Sequence, residues 1–92
     1  MYTIKFTTAF KKGYKRMKKR GVDMSLLEDV IESLRNGIPL DRKYKDHMLT
    51  GEFSGYHECH IQPDWLLIYF IEDDILTLTL TGTGTHSDLF NL

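Results

Sequence analysis

The spacing of apolar positions changes period several times along the chain and outlines its elements. Tyr2 to Phe6 alternates and predicts a strand. Thr7 or Thr8 can then cap a helix reaching about Arg20, with Phe10, Tyr14 and Met17 as a narrow apolar stripe and Gly21 as its stop. A second helix starts at Asp23 or Ser25, where Ser25 and Glu28 have capping-box spacing. Leu27, Val30, Ile31 and Leu34 form its buried face, and Asn36-Gly37 with Pro39 ends it. After an irregular polar stretch over 38–51, three strands are expected. Phe53 to Ile61 alternates, with Tyr56, Glu58 and His60 on one face and His57, Cys59 and Ile61 on the other. Trp65 to Glu72 is nearly continuous in apolar residues, as suits a central strand. Ile75 to Thr81 follows an Asp73-Asp74 turn, with Leu76, Leu78 and Leu80 inward and Thr77, Thr79 and Thr81 outward.

The order β-α-α-β-β-β predicts an α+β fold: an antiparallel sheet with a two-helix hairpin packed on one face, in a single domain over residues 1–92. The opposite face of the sheet is left to carry a site. No repeat, linker or low-complexity tract interrupts the chain.

Charge adds an asymmetry. The net value of −1 conceals eight Lys or Arg and no acid in residues 1–20, against all 13 acids in the remainder. A basic first helix on a mildly acidic body points to a polyanion on one side, although a solvated helix face has the same composition. No apolar run reaches the roughly 20 residues that cross a bilayer, so no membrane role is expected. The single cysteine, Cys59, excludes an internal disulfide and fits a reducing, cytoplasmic setting.

Candidate chemistry gathers at predicted strand ends. His60 and Asp64 flank a tight Gln62-Pro63 turn, and His86 lies in the tail Gly84-Thr85-His86-Ser87-Asp88-Leu89-Phe90. Imidazoles and a carboxylate are what metal-free acid–base chemistry on a phosphodiester needs. Each could instead be a surface turn residue, and His47 a loop histidine bonded to backbone. Zinc is disfavoured, because alternation separates His60 from His57 and Cys59 and there is no second cysteine. Cys59 and Ser87 make poor nucleophiles, the first by burial and the second for want of a glycine-flanked elbow. Gly82-Thr83-Gly84 lacks the Lys and the following helix of a phosphate-binding loop. No cofactor is expected.

Two runs, Glu58-Cys59-His60-Ile61-Gln62-Pro63-Asp64-Trp65-Leu66-Leu67-Ile68-Tyr69 and Gly84 to Phe90, together with Asp46-His47, Leu49 and Gly51, resemble the YafQ branch of the RelE/ParE toxin superfamily of bacterial type II toxin–antitoxin modules. The resemblance implies a ribosome-dependent endoribonuclease cutting mRNA in the 30S A site, neutralised by a cognate antitoxin that links it to operator DNA. It also implies that His47, His60, Asp64 and His86 are the catalytic set and that Phe90 helps place the RNA. His86 is favoured as general acid, with His60 or Asp64 on the base side. Trp65 could stack on a splayed base, with core packing as the competing role. Lys15, Arg16 and Lys19 are expected to contact ribosomal RNA phosphates.

One position departs from that pattern. Members of the branch usually carry Arg just before the Thr-Gly-Thr-His stretch, where this chain has Gly82. An arginine there would be a fixed fork-shaped cation for the scissile phosphate. Its loss suggests an attenuated enzyme, or divergence compensated by a lysine of the basic helix. A catalytically silent protein that binds its antitoxin and regulates an operator is the alternative.

Overall fold

The computed structural model describes residues 1–90. Strand β1 (Thr3–Phe6) leads into helix α1 (Thr8–Lys19) and helix α2 (Met24–Arg35). A loop with a 3-10 turn at Arg42–Tyr44 reaches the two-residue strand β2 (His47–Met48). Strands β3 (His57–Gln62), β4 (Trp65–Glu72) and β5 (Thr77–Gly84) follow, and helix α3 (His86–Phe90) closes the described chain. The sheet order is β1-β5-β4-β3-β2.

The expected α+β architecture with its helix pair is present, and the structure refines three features. The sheet is mixed, because β1 runs parallel to β5 at the edge. The stretch Phe53–Tyr56 is a 3-10 turn and loop rather than strand. The tail forms a short helix that strand periodicity could not reveal.

The helix starts follow their caps. The Thr7 hydroxyl accepts from the Phe10 N–H and donates to the Thr81 carbonyl, tying the start of α1 to β5. Asp23, not Ser25, caps α2, accepting from the Ser25 N–H and hydroxyl. Phe10, Met17, Leu27, Val30 and Leu34 pack against Cys59, Leu67, Tyr69, Leu78 and Leu80 on one sheet face. Burying such side chains stabilises by roughly 1.5–3 kcal/mol each. Gly13 lets α1 press onto the end of β5, since a Cβ there would lie 2.1 Å from the Thr83 carbonyl oxygen.

Two irregularities set which side chains face which way. In β5, Leu80 pairs with Tyr69 and Gly82 with Ile68, so Thr81 is an extra residue. This bulge shifts side-chain parity by one: Leu78 and Leu80 face the helices, but so does Thr83, whereas Gly82 and Gly84 face the other side. The expected inward set fails at Leu76, which lies before β5 with left-handed φ of 48° and is 53% exposed. Thr77 and Thr79 keep the face opposite Leu78 and Leu80 and are buried there. The second irregularity lies between His60 and Gln62, at the end of β3. Among the described residues no helix is long and apolar enough to cross a membrane.

Candidate functional site

The sheet face away from α1 and α2 carries a connected set of imidazoles and carboxylates. Alternation along β3 sends Cys59 and Ile61 into the core and leaves Glu58 and His60 on the opposite face. β2 pairs with β3 and brings His47 opposite Glu58. The His47 and His60 rings lie 6.5 Å apart, and those of His60 and His86 lie 5.7 Å apart. His47, His60, Asp64 and His86 are thus brought together, as the sequence suggested.

Each member is held by a specific local device. His86 opens α3, whose start is a reciprocal cap: the Thr85 N–H donates to Asp88 and the Asp88 N–H donates to the Thr85 hydroxyl. Arg20, at the end of α1, grips the same Asp88 with two bonds of 2.6 and 3.0 Å. This guanidinium, with the Thr85 contacts, holds the Asp88 carboxyl well below the usual carboxylate range. Asp64 accepts both the backbone N–H of His86, at 3.0 Å, and its ring Nδ1–H, at 2.6 Å. These two bonds lower the Asp64 pKa, the backbone N–H first. The imidazole is thereby fixed with Nδ1 occupied and Nε2 available to the site.

His47 is set by its loop. Its Nδ1 lies 2.6 Å from the Lys45 carbonyl oxygen, and Lys45 sits in the left-handed region with φ of 49°. That conformation stores roughly 1–3 kcal/mol and persists only where the surroundings impose it. Here the Tyr69 hydroxyl donates to Asp46 at 2.5 Å, anchoring the loop to the core. Burial, then the Asp46 bond, pushes the Tyr69 phenol up.

Glu58 is a member that sequence reasoning missed. It is 7% exposed, with Oε1 at 3.4 Å from His60 Nε2 and 3.7 Å from His47 Nε2. The signal was available, because Glu58 shares His60's face in a strand interior, where an acid is rarely left without a task. Among the described residues, donor atoms of Glu58, His60 and His86 lie within 4.8 Å of one another, a nitrogen-rich set able to hold zinc or copper. The sequence had considered His57, Cys59 and His60; His57 instead stacks on Tyr69. Cys59 is fully buried, and burial pushes its thiol up, which leaves it inert.

Trp65 must be corrected. It is 2% exposed in the helix-side core, and its indole N–H donates to the Thr83 hydroxyl. A ring so enclosed cannot stack on a base, and of the two roles open to Trp65 the structure gives it core packing. Phe90 is accessible and meets Phe53 edge-on at 5.5 Å. Lys15, Arg16 and Lys19 are exposed on α1, and Arg16 approaches Asp88 to 4.0 Å.

Gly82 lies on the histidine face. Glu58, Ile68 and Gly82 form one row across β3, β4 and β5. A Cβ at Gly82 would meet only the Leu89 side chain, at 3.4 Å, and the backbone there is not left-handed. Neither conformation nor space demands glycine.

Residues 2–91 match the family described as the YafQ bacterial toxin of type II toxin–antitoxin systems. The chain is 40% identical over 88 residues to the mRNA interferase toxin YafQ of Escherichia coli (strain K12), covering 95% of this chain and 94% of that protein. Its structure is similar to that of a metal-bound toxin from Helicobacter pylori, with a TM-score of 0.91 and 43% identity over 98% of this chain and 100% of the other. It is also similar to a chain of the E. coli DinJ-YafQ complex, with a TM-score of 0.88 and 38% identity over 98% and 99% of the two chains.

Proposed function

Since the chain belongs to the YafQ family of bacterial toxins of type II toxin–antitoxin systems, we propose that it is an mRNA endoribonuclease that works on the ribosome through His/Asp acid–base chemistry. The observation that carries this reading is the Asp64–His86–His60 chain of contacts, with Glu58 and His47 behind it.

RNA supplies its own nucleophile. A base removes the 2′-hydroxyl proton, the oxygen attacks the adjacent phosphorus, and the P–O5′ bond breaks with protonation of the leaving oxygen. The products are a 2′,3′-cyclic phosphate and a 5′-hydroxyl. His86 is the acid, because Asp64 occupies its Nδ1 and stabilises its charged form, leaving Nε2–H to donate. Asp64 is committed to His86 and so orients rather than acts as base. The base is then His60, with the buried Glu58 carboxylate 3.4 Å away to stabilise the imidazolium it becomes. His47 faces the same carboxylate and Phe90 offers a ring to the RNA. Two of the imidazoles and Asp64 keep more than a third of their side-chain surface exposed, which suits a polymer substrate presented by a larger body.

The same donors fit a transition metal, which would supply Lewis-acid activation when bound. The lone pairs of His60 and His86 that would hold it are those that proton transfer requires.

Gly82 attenuates this activity. The row that holds Glu58 ends where the family's cation would stand, and a Cβ there would make only an ordinary contact with Leu89. Arg20 feels the charge of Asp64 but is gripped by Asp88, so it is a poor replacement. The alternative, a silent toxin that binds antitoxin and thereby operator DNA, draws on the same missing side chain. The exposed lysines of α1 would meet ribosomal RNA. An apolar groove of 570 Å³ between α1 and α2, with Phe6, Tyr14 and Ile31 in its walls, would receive an amphipathic antitoxin segment in the cytoplasm.

The test is cleavage of a translated mRNA by the purified chain with ribosomes. Fragments ending in 2′,3′-cyclic phosphate, lost in His86→Ala and His60→Ala, are expected. Fragments with 3′-hydroxyl ends, or full activity in both variants, would overturn the mechanism.

A further inference from the structure

A second cavity adjoins the catalytic cluster. It has a volume of 390 Å³ and lies between the start of α2, the loop over 42–45 and the end of β3. His60 is one of its lining residues, so the cavity borders the reacting centre at the end of β3. Leu26, Ile61 and Pro63 give it apolar walls, and Gln62 places a carboxamide among them. Lys43 and Lys45 stand at it as cations, and no acid lines it. The groove between α1 and α2, by contrast, is lined by Glu28 and Glu32 as well as lysines.

We infer that this cleft seats the RNA nucleotide next to the scissile phosphate on the His60 side, with Gln62 reading the base edge and Lys43 and Lys45 holding the flanking phosphate. This inference rests on the RNA-cleaving reading above. Apolar walls accept a flat base, and a carboxamide offers one donor face and one acceptor face to its edge. Ammonium groups neutralise the backbone without reading sequence. The loop is shaped for the task. Asp41 caps it through the Lys43 N–H. The Lys43 ammonium lies 5.1 Å from the Tyr44 ring centre, which fixes that ring as part of the wall. The left-handed backbone at Lys45 directs the chain from this cleft to His47 within two residues. At the other wall, the register is irregular between His60 and Gln62, and exposed Gln62 ends β3 opposite Trp65. Two distortions, one on each side of the cavity, place its polar groups.

The test uses the full chain and trinucleotide RNAs methylated at every 2′-oxygen, which cannot be cleaved, varied at one base. Nuclear magnetic resonance should show saturable shifts at the Gln62 side-chain amide and the Tyr44 ring, with about a tenfold preference among bases at one position, the size of one base-edge contact. Gln62 and Lys43 are exposed, so Gln62→Ala and Lys43→Ala should fold normally. Gln62→Ala should flatten the preference to under about twofold, Lys43→Ala should weaken all four bases equally, and His86→Ala should keep the preference. Shifts confined to His47, His60 and His86, or a preference unchanged in Gln62→Ala, would overturn the inference. So would loss of antitoxin binding, with RNA binding unaltered, in the same two variants. Failure of the catalytic reading is separate: it would show as no mRNA cleavage by either the chain or its Gly82→Arg variant, whatever the trinucleotides do.

Discussion

Glu58 and Gly82 lie in one row across the sheet, separated only by Ile68. Adjacent strands are about 4.8 Å apart, so a long side chain at position 82 reaches across the row to the Glu58 carboxylate. The buried acid and the proposed cation position thus lie within reach of each other across the sheet.

Restoring that cation should restore turnover. Gly82→Arg is expected to raise ribosome-dependent cleavage by on the order of 10²-fold, because the transition state gains negative charge that the ground state lacks. It should also make the chain toxic to growing cells without antitoxin, and His86→Ala added to it should silence it again. Unchanged single-turnover rates in Gly82→Arg would show that another group already supplies the charge.

Asp64→Asn tests the orienting bond. An asparagine can present its amide hydrogens to His86 Nδ1 and favour the wrong tautomer. Turnover should fall by on the order of 10³-fold with little change in ribosome affinity. Comparable loss of kcat and binding would indicate a collapse of α3 instead.

Metal dependence has a direct readout. A chelator such as EDTA should leave cleavage of a mRNA by pre-assembled ribosomes unchanged, after magnesium is restored to keep them intact. Added zinc or copper should inhibit by occupying Glu58, His60 and His86. Activity that disappears on stripping the toxin beforehand, and returns with one transition metal, would assign those donors to a catalytic ion.

Lys15 and Lys19 are cleaner targets than Arg16, which also approaches Asp88. The Lys15→Glu, Lys19→Glu double change should weaken ribosome co-sedimentation and flatten its salt dependence by about 1.5 in the log–log slope, as two lost phosphate contacts require. Thermal stability should stay within about 0.5 kcal/mol.

The Asp88 pKa is depressed in the folded chain, so its contribution is present above the unfolded carboxylate value of about 3.9 and is lost as pH falls through the lower folded value. Arg20 is exposed enough for solvent to screen the pair, which limits the contribution to about 1 kcal/mol. Asp88→Asn should lower Tm by roughly 4–8 °C at pH 7. The gap should persist near pH 4 and close only in stronger acid. A gap that closes between pH 7 and 5 would point to a histidine instead.

Helices and strands were legible because burial has a period: Leu27, Val30 and Leu34 on α2 and Cys59 and Ile61 on β3 could be placed on their faces from spacing alone. His60 followed from the same alternation. What spacing could not show was the bulge at Thr81, after which Thr83 rather than Gly82 or Gly84 faces the helices, nor the left-handed turn that leaves Leu76 outside the strand. α3 escaped because five residues carry no helical period, and Trp65 was open to both core packing and base stacking because an aromatic at a strand start suits either. Glu58 was on the predicted face, but a carboxylate's partners are set by β2, a two-residue strand that no propensity reveals.

The bulge at Thr81 decides on which side of the sheet the chain's end arrives. Leu78 and Leu80 lie before it and keep the core whatever follows. Because Thr81 is set aside from the ladder, Gly82 still stands opposite Ile68 and Thr83 opposite Leu67, the facing a strand without the extra residue would have. Pairing Thr81 with Ile68 instead would turn Gly82 and Gly84 toward the helices and Thr83 away from them, and α3 would leave the sheet from the wrong side. One residue kept out of register thus lets the strand tolerate an insertion without moving His86, and its loss is expected to be silent where its incorporation into the ladder is not.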